Sequence, residues 1–151
     1  MRLLWLIVFL ALACNASAYP AAVSFTDAQG HKINTANWRN KWVIINYWAP
    51  WCTACAEEIP QLNLFYRRHH PQTVLIGVNY DGLSGSNLLS AIHDMHIQFP
   101  VLQTNPAKTL GLSAVSVLPT TFIINPEGKV VKQLIGPQSN ASLEEIVNAR
   151  Y

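Results

Sequence analysis

Charge is scarce in this sequence, and so are the side chains that bind metals. Asp, Glu, Lys and Arg account for only 12% of the chain and leave a formal net charge of +2. No run of basic residues could follow a phosphate backbone, which excludes nucleic acid as a partner. Cysteine occurs three times, as Cys14, Cys52 and Cys55. A tetrahedral zinc site needs four ligands, and the histidines (His31, His69-His70, and His93 with His96) offer no second paired spacing that would complete one. No metal and no cofactor is expected, and His93 and His96, on one helix face, read as solvated surface. There is no internal repeat, no low-complexity tract, and no apolar run of the ~20 residues that a membrane-spanning helix requires.

What the chain does have is apolar mass. Half of its 151 residues are hydrophobic, enough for one domain whose core needs no crosslink to hold it. Residues 1–18 stand apart from that domain: Arg2, the apolar run 3–13, Asn15 and the small triplet Ala16-Ser17-Ala18 follow the order of a secretory signal peptide with an A-x-A cleavage site. The expectation is a leader over 1–18 and an exported, periplasmic domain over 19–151. An uncleaved anchor that tethers the domain to the membrane is the alternative, because small residues continue to Val23. Cys14 reads as part of the leader rather than as a lipidation site, since Ala11 stands where such sites usually carry leucine.

Hydrophobic periodicity then orders the elements. Residues 23–25 and the turn 27–30 suggest a short N-terminal hairpin. Residues 42–48, "WVIINYW", form a continuous apolar run of strand length and read as a strand buried on both faces. Residues 53–69 repeat apolar positions at Ile59, Leu62 and Phe65 and predict a helix, with Pro60 expected to kink it. A second buried strand (74–78) and a second helix (86–96, apolar face Leu88, Leu89, Ile92 and Met95) follow, then a short extended piece at 99–102. Asn105-Pro106 opens a short helix that Gly111 closes. Residues 120–125 and 129–135 flank Pro126-Glu127-Gly128 as a β-hairpin, and Ser142 with Glu145 suggests a capping box for a last helix. Alternating strands and helices followed by a hairpin predict an α/β fold with a mixed central sheet and flanking helices.

The chemistry-bearing stretch is "NYWAPWCTACAEEIP", residues 46–60. Its cysteines could be a redox couple, a structural crosslink or half of a metal site. A crosslink between residues this close closes too small a loop to restrict the unfolded chain much, and the metal reading lacks ligands. A cysteine at the junction of a strand and a helix start faces the unpaired N–H groups of the first turn, which lower a thiol pKa from about 8.5 into a range of about 3.5–7.5. Cys52 is therefore the expected nucleophile, and Cys55, one turn on, attacks the mixed disulfide that Cys52 forms with a substrate. Glu57 reads as solvated surface in a first helical turn, Arg67, Arg68 and His69-His70 as a solvated helix end, and Tyr47 and Trp48 as packing residues.

"WVIINYWAPWCTACAEEIPQL" resembles the active-site strand and helix of the thioredoxin-like superfamily, and "VSVLPTTFIINPEGKV" its second signature, in the right order and with a βα insert between them. The resemblance implies a thioredoxin fold for nearly the whole domain. It also implies a cis proline at Pro119 beside the dithiol, a substrate chain pairing with the backbone around Leu118 and Thr120, and an aromatic shield at Trp51. Pro60 matches the proline of the active-site helix. Where cytosolic thioredoxin carries a buried aspartate this chain has Asn46, which cannot accept a proton. Thr53-Ala54 replaces Gly-Pro. Glu58-Ile59-Pro60, the insert ending in "FPVL" and the export signal are instead similar to the TlpA/ResA/DsbE (CcmG) branch, in which the glutamate at the Glu58 position lies near the dithiol.

That branch implies a protein-disulfide oxidoreductase acting on disulfide-containing clients such as apocytochrome c, and a membrane electron donor of the DsbD/CcdA type. No Lys or Arg lies between Asn46 and Pro60 to favour a thiolate, so a reductant is expected. A disulfide oxidase or isomerase of the same fold is the alternative. A Cu(I)-binding role suits two thiolates but lacks a visible third ligand. A thiol peroxidase lacks its T-x-x-C pattern.

Overall fold

A computed structural model describes residues 21–149. The expected leader, residues 1–18 with Cys14, lies outside the described residues. Among these, no helix is long and apolar enough to cross a membrane.

Strands β1 (Ser24–Thr26) and β2 (Lys32–Asn34) form the expected antiparallel N-terminal hairpin. A single 3-10 turn, Thr35–Trp38, leads into β3 (Val43–Trp48), every residue of which is buried. β3 is buried because it is central: β4 (Val74–Asn79) pairs with it in parallel on one side and β6 (Thr120–Ile124) antiparallel on the other. The short β5 (Val101–Leu102) and β7 (Val130–Ile135) form the edges, giving the order β5-β4-β3-β6-β7. The mixed sheet expected from the element order is thus present, with β7 as its antiparallel edge.

Successive side chains on a strand point to opposite faces, and β3 divides its residues accordingly. Ile44 and Trp48 pack with Ile59, Leu62 and Phe65 of α1 (Thr53–His69), with Leu88, Ala91 and Ile92 of α2 (Gly85–Asp94), and with Leu143 of α4 (Asn140–Asn148). Val43, Ile45 and Tyr47 face the other way, toward Phe25, Trp38, and Leu110 of the short α3 (Ala107–Leu110). Gly77 on β4 permits a close approach on the first face: a Cβ there would lie 3.0 Å from Val101 Cγ2 and 3.2 Å from Trp48 Nε1.

Local details differ from the sequence reading in four places. Leu89, expected in the buried stripe of α2, is exposed, and Ala91 is buried instead. The stripe is centred on Leu88 and Ile92, each worth about 1.5–3 kcal/mol when buried. The capping box of α4 is Ser139 with Ser142, whose hydroxyl and backbone groups bond reciprocally at 3.0 Å; Ser142 is the third helical residue rather than the cap. The basic end of α1 is not merely solvated. Arg68 and His69 both reach Glu144 of α4, at 3.4 and 3.1 Å, and Arg67 donates to Gln98. α2 also stops at Asp94, short of the expected end at 96, so His96, with φ 54°, does not share a helix face with His93. At α3 expectation and structure agree: Asn105 caps the amide of Ala107 at 2.9 Å, and the helix ends on Gly111 in a left-handed conformation.

Candidate active site

The chain leaves β3 at Trp48 and turns through residues 49–51 into α1, so the dithiol sits where a buried strand hands over to a helix. Cys52 is the N-cap residue of α1, in extended conformation, and its Sγ accepts from the N–H of Cys55 at 3.1 Å. This is the geometry that stabilises a thiolate: an orphan helix N–H aimed at sulfur, together with the positive end of the helix dipole. Cys52 and Cys55 are joined by a disulfide, with their Cα atoms 5.2 Å apart. Cys52 retains 7% of its surface and Cys55 none, so an incoming sulfur reaches Cys52 first.

The register of the sheet brings the second signature to the same end. Thr120 lies opposite Tyr47 and Thr121 opposite Asn46, so residues 118–119 emerge beside the exit of β3. The Leu118-Pro119 bond is cis. Thr120 Oγ1 donates to the carbonyl of Val117 at 2.7 Å, and the Pro119 carbonyl accepts from Gly136 N–H at 2.9 Å. Thr120 is buried and Leu118 half-buried, so the side chain of Thr120 supports the turn rather than offering itself to a ligand. Trp51 is 65% exposed, and its indole N–H donates to Asp81 Oδ2 at 2.9 Å. Tyr80 and Val117 are also exposed and make this end an apolar rim. Asp81 was not singled out in the sequence, because nothing local to Tyr80-Asp81-Gly82 marks it as a partner of Trp51.

Beneath the dithiol lies the part of the site that sequence reasoning half anticipated. Glu58, one helical turn beyond Cys55, is 1% exposed. Its Oε1 accepts from the backbone N–H of Gln138 and its Oε2 from Asn46 Nδ2, both at 2.9 Å. Burial disfavours the charged form and raises the carboxyl pKa to about 7; the two hydrogen bonds pull the other way but do not offset it. Asn46, read from the sequence only as a missing proton acceptor, is the donor that holds Glu58, and the same Nδ2 donates to Thr121 Oγ1 at 3.0 Å. Glu57 points to solvent, as expected. Tyr47, on the opposite face, donates to Asn105 Oδ1 at 2.8 Å, and burial pushes its pKa up to about 12. Among the described residues, no group of three or more His, Cys, Asp or Glu is placed to hold a metal ion.

A model of the AhpC/TSA family matches residues 17–133. The thiol-disulfide oxidoreductase ResA of Bacillus subtilis (strain 168) is 33% identical over 123 residues, 81% of this chain and 68% of that protein. ResA of Bacillus thuringiensis (strain Al Hakam) is 33% identical over 120 residues, 79% of this chain and 69% of its own length. Among solved structures, StoA from Bacillus subtilis is similar with a TM-score of 0.67 at 26% identity, over 85% of this chain and 97% of that one. A thioredoxin-family thiol:disulfide interchange protein from Chlorobium tepidum TLS has a TM-score of 0.72 at 24% identity, over 85% and 93%, a likeness of fold.

Proposed function

The chain belongs to the AhpC/TSA family and is a ResA-like, thioredoxin-fold thiol-disulfide oxidoreductase, and from that footing we propose that it is an exported reductant of protein disulfides. The observation that carries the reading is the Cys52–Cys55 disulfide at the N-terminus of α1, set above a buried carboxyl whose pKa lies near neutrality.

In the reducing direction the Cys52 thiolate attacks a client disulfide, forming a mixed disulfide and releasing one client thiolate. Cys55 then gives its proton to the Glu58 carboxylate and attacks Cys52 Sγ. The second client sulfur leaves and takes up that proton. The client gains two electrons, and the protein is left as the Cys52–Cys55 disulfide, to be reduced again by a membrane dithiol donor of the DsbD/CcdA type. A carboxyl with a pKa near the working pH can both accept and return a proton, which an ordinary exposed glutamate at pKa about 4.3 does poorly.

Pro119 turns the chain beside the dithiol without presenting an N–H, and the backbone of Leu118 pairs with an extended client segment, while Thr120, flanked by Tyr47 of β3 and Ile135 of β7, supports the turn from within the sheet. Trp51, with Tyr80 and Val117, supplies the apolar rim against which that segment rests. Residues 1–18 act as the leader and 19–151 as the working domain in the bacterial periplasm, where client disulfides such as those of apocytochrome c are found. The uncharged Thr53-Ala54 pair between the cysteines favours a reductant over a strong oxidant.

Replacing Cys55 with Ala should arrest the cycle at the mixed disulfide and allow periplasmic clients to be isolated on Cys52; recovery of none would refute client reduction. Equilibration of the wild type with glutathione decides direction. A potential close to that of thioredoxin, about −270 mV, supports a reductant, and one near −120 mV refutes it.

A further inference from the structure

Asn46 is the only side-chain amide in β3, the strand at the centre of the sheet. Its amide is used on one side only. Nδ2 donates to both Glu58 Oε2 and Thr121 Oγ1, while Oδ1 is buried without any hydrogen-bond partner. A buried unpaired acceptor costs about 1–3 kcal/mol, so its presence in the best-packed strand calls for a reason.

The reason lies in what Glu58 can do with a proton. Oε1 faces the backbone N–H of Gln138, a donor that cannot turn round, so a proton taken up by Glu58 must reside on Oε2. There it would point at the N–H of Asn46, donor against donor. Rotation of the amide by half a turn about its last side-chain bond removes the conflict: Oδ1 then accepts from the Glu58 O–H. The Thr121 hydroxyl, which can donate as well as accept, turns its hydrogen toward the same Oδ1. Each orientation makes two hydrogen bonds and leaves one amide atom unpaired, so the two differ chiefly in which charge state of Glu58 they fit.

We infer that the Asn46 amide is a proton-coupled rotor, a positioning residue that faces Nδ2 to Glu58 when the carboxyl is ionised and Oδ1 when it is protonated, with the Thr121 hydroxyl reversing in step. Resting on the oxidoreductase reading, this assigns Asn46 and Thr121 the task of letting Glu58 take and return the Cys55 proton without movement of the backbone. No other titratable group intrudes. Cys52 and Cys55 share its helix, Asn46 on β3 and Thr121 on β6 do not titrate, and Lys132 of β7 and Glu144 and Glu145 of α4 belong to elements packed on this face. None of these charged groups is among those that shift Glu58.

The test uses the disulfide form alone, so its outcome is independent of whether a client is ever found. In labelled protein, the Glu58 carboxyl carbon is titrated by NMR while proximities from the Asn46 side-chain N–H2 to the Thr121 side chain are followed. These contacts are expected above the Glu58 midpoint and lost below it, with the same midpoint. Glu58→Gln, whose own N–H2 mimics the protonated O–H, should show the low-pH pattern at every pH. A Glu58 that titrates with unchanged Asn46 contacts would overturn the rotor, as would a Gln variant that keeps the high-pH pattern. A second measurement separates a rotor from a fixed donor. Asn46→Leu removes a partner of both charge states and should raise the Glu58 midpoint by under about one unit, tenfold in proton affinity; a rise of two units or more would identify a fixed donor and refute the inference.

Discussion

Trp51 and Asp81 are joined across the mouth of the site: the indole N–H donates to the carboxylate at 2.9 Å, tying the residue that precedes Cys52 to the loop after β4. The bond is exposed, so its value for stability is small, under about 1 kcal/mol. Its value is positional. It holds a large apolar surface beside Cys52, the more exposed cysteine of the pair. Asp81→Ala and Trp51→Phe should each slow mixed-disulfide formation by about two- to five-fold, the kinetic equivalent of that bond. The double variant should be no slower than the worse single one. Stopped-flow exchange with a small disulfide-bonded peptide checks this, and additive losses would contradict the tie.

Glu58 makes stability depend on pH. Its folded pKa of about 7 lies above the ordinary value of 4.5, so the unfolded state releases this proton first as pH rises. The stabilisation is present in full below about pH 4.5 and is lost as pH passes up to about 7. The loss amounts to about 3 kcal/mol. Glu58→Gln, which has no proton to lose, should lack this component: the two proteins should have similar stability at pH 4.5, and the wild type should be the less stable by about 3 kcal/mol at pH 8. Urea unfolding at several pH values measures the difference, and parallel curves for the two proteins would contradict the assignment.

At Gly77 an added methyl group would meet side-chain atoms of Val101, Phe99 and Trp48 at 3.0, 3.1 and 3.2 Å, so these neighbours would have to shift to admit it. Gly77→Ala should cost about 1–3 kcal/mol, the usual penalty for overpacking a core. The Trp48 indole beneath it should shift its fluorescence. Denaturant unfolding followed by tryptophan emission reports both, and a variant as stable as the wild type would show that β4 can yield.

Tyr47 holds the loop before α3 through Asn105, whose Oδ1 also caps Ala107. Tyr47→Phe leaves that oxygen with its second donor and should cost about 1 kcal/mol. With its pKa raised to about 12 by burial, Tyr47 should contribute no tyrosinate absorbance until about pH 11. Ultraviolet titration of wild type against the Phe variant isolates its signal.

The elements that sequence determined are those whose signal is local. The apolar run at 42–48 is continuous and of strand length, which marks a strand buried on both faces, found over Val43–Trp48, and the strand–CxxC–helix junction follows from it. Pro126-Glu127-Gly128 between two β-rich runs is sufficient for a hairpin, and β6 and β7 are found there. In α2, helical spacing alone placed Leu88, Leu89 and Ile92 on one side; only the position of the helix against the sheet decided that Leu89 is exposed. With Ser139 and Ser142 three residues apart, either could cap a helix by its chemistry, and the direction of the incoming chain chose Ser139.

The dithiol itself is a local feature, legible as Cys52 and Cys55 from spacing and from the strand that precedes them. The state of Glu58 is not. It depends on an amide twelve residues earlier on β3 and on a backbone N–H eighty residues later, and the side chain that completes the set, Thr121, is 75 residues from Asn46. A carboxyl pKa is set by what replaces water around it, and no stretch of sequence near Glu58 contains those replacements. The chain order specified which cysteines pair; the closing of β3 against β6 and of α1 against the loop before α4 decided what surrounds the Glu58 carboxyl.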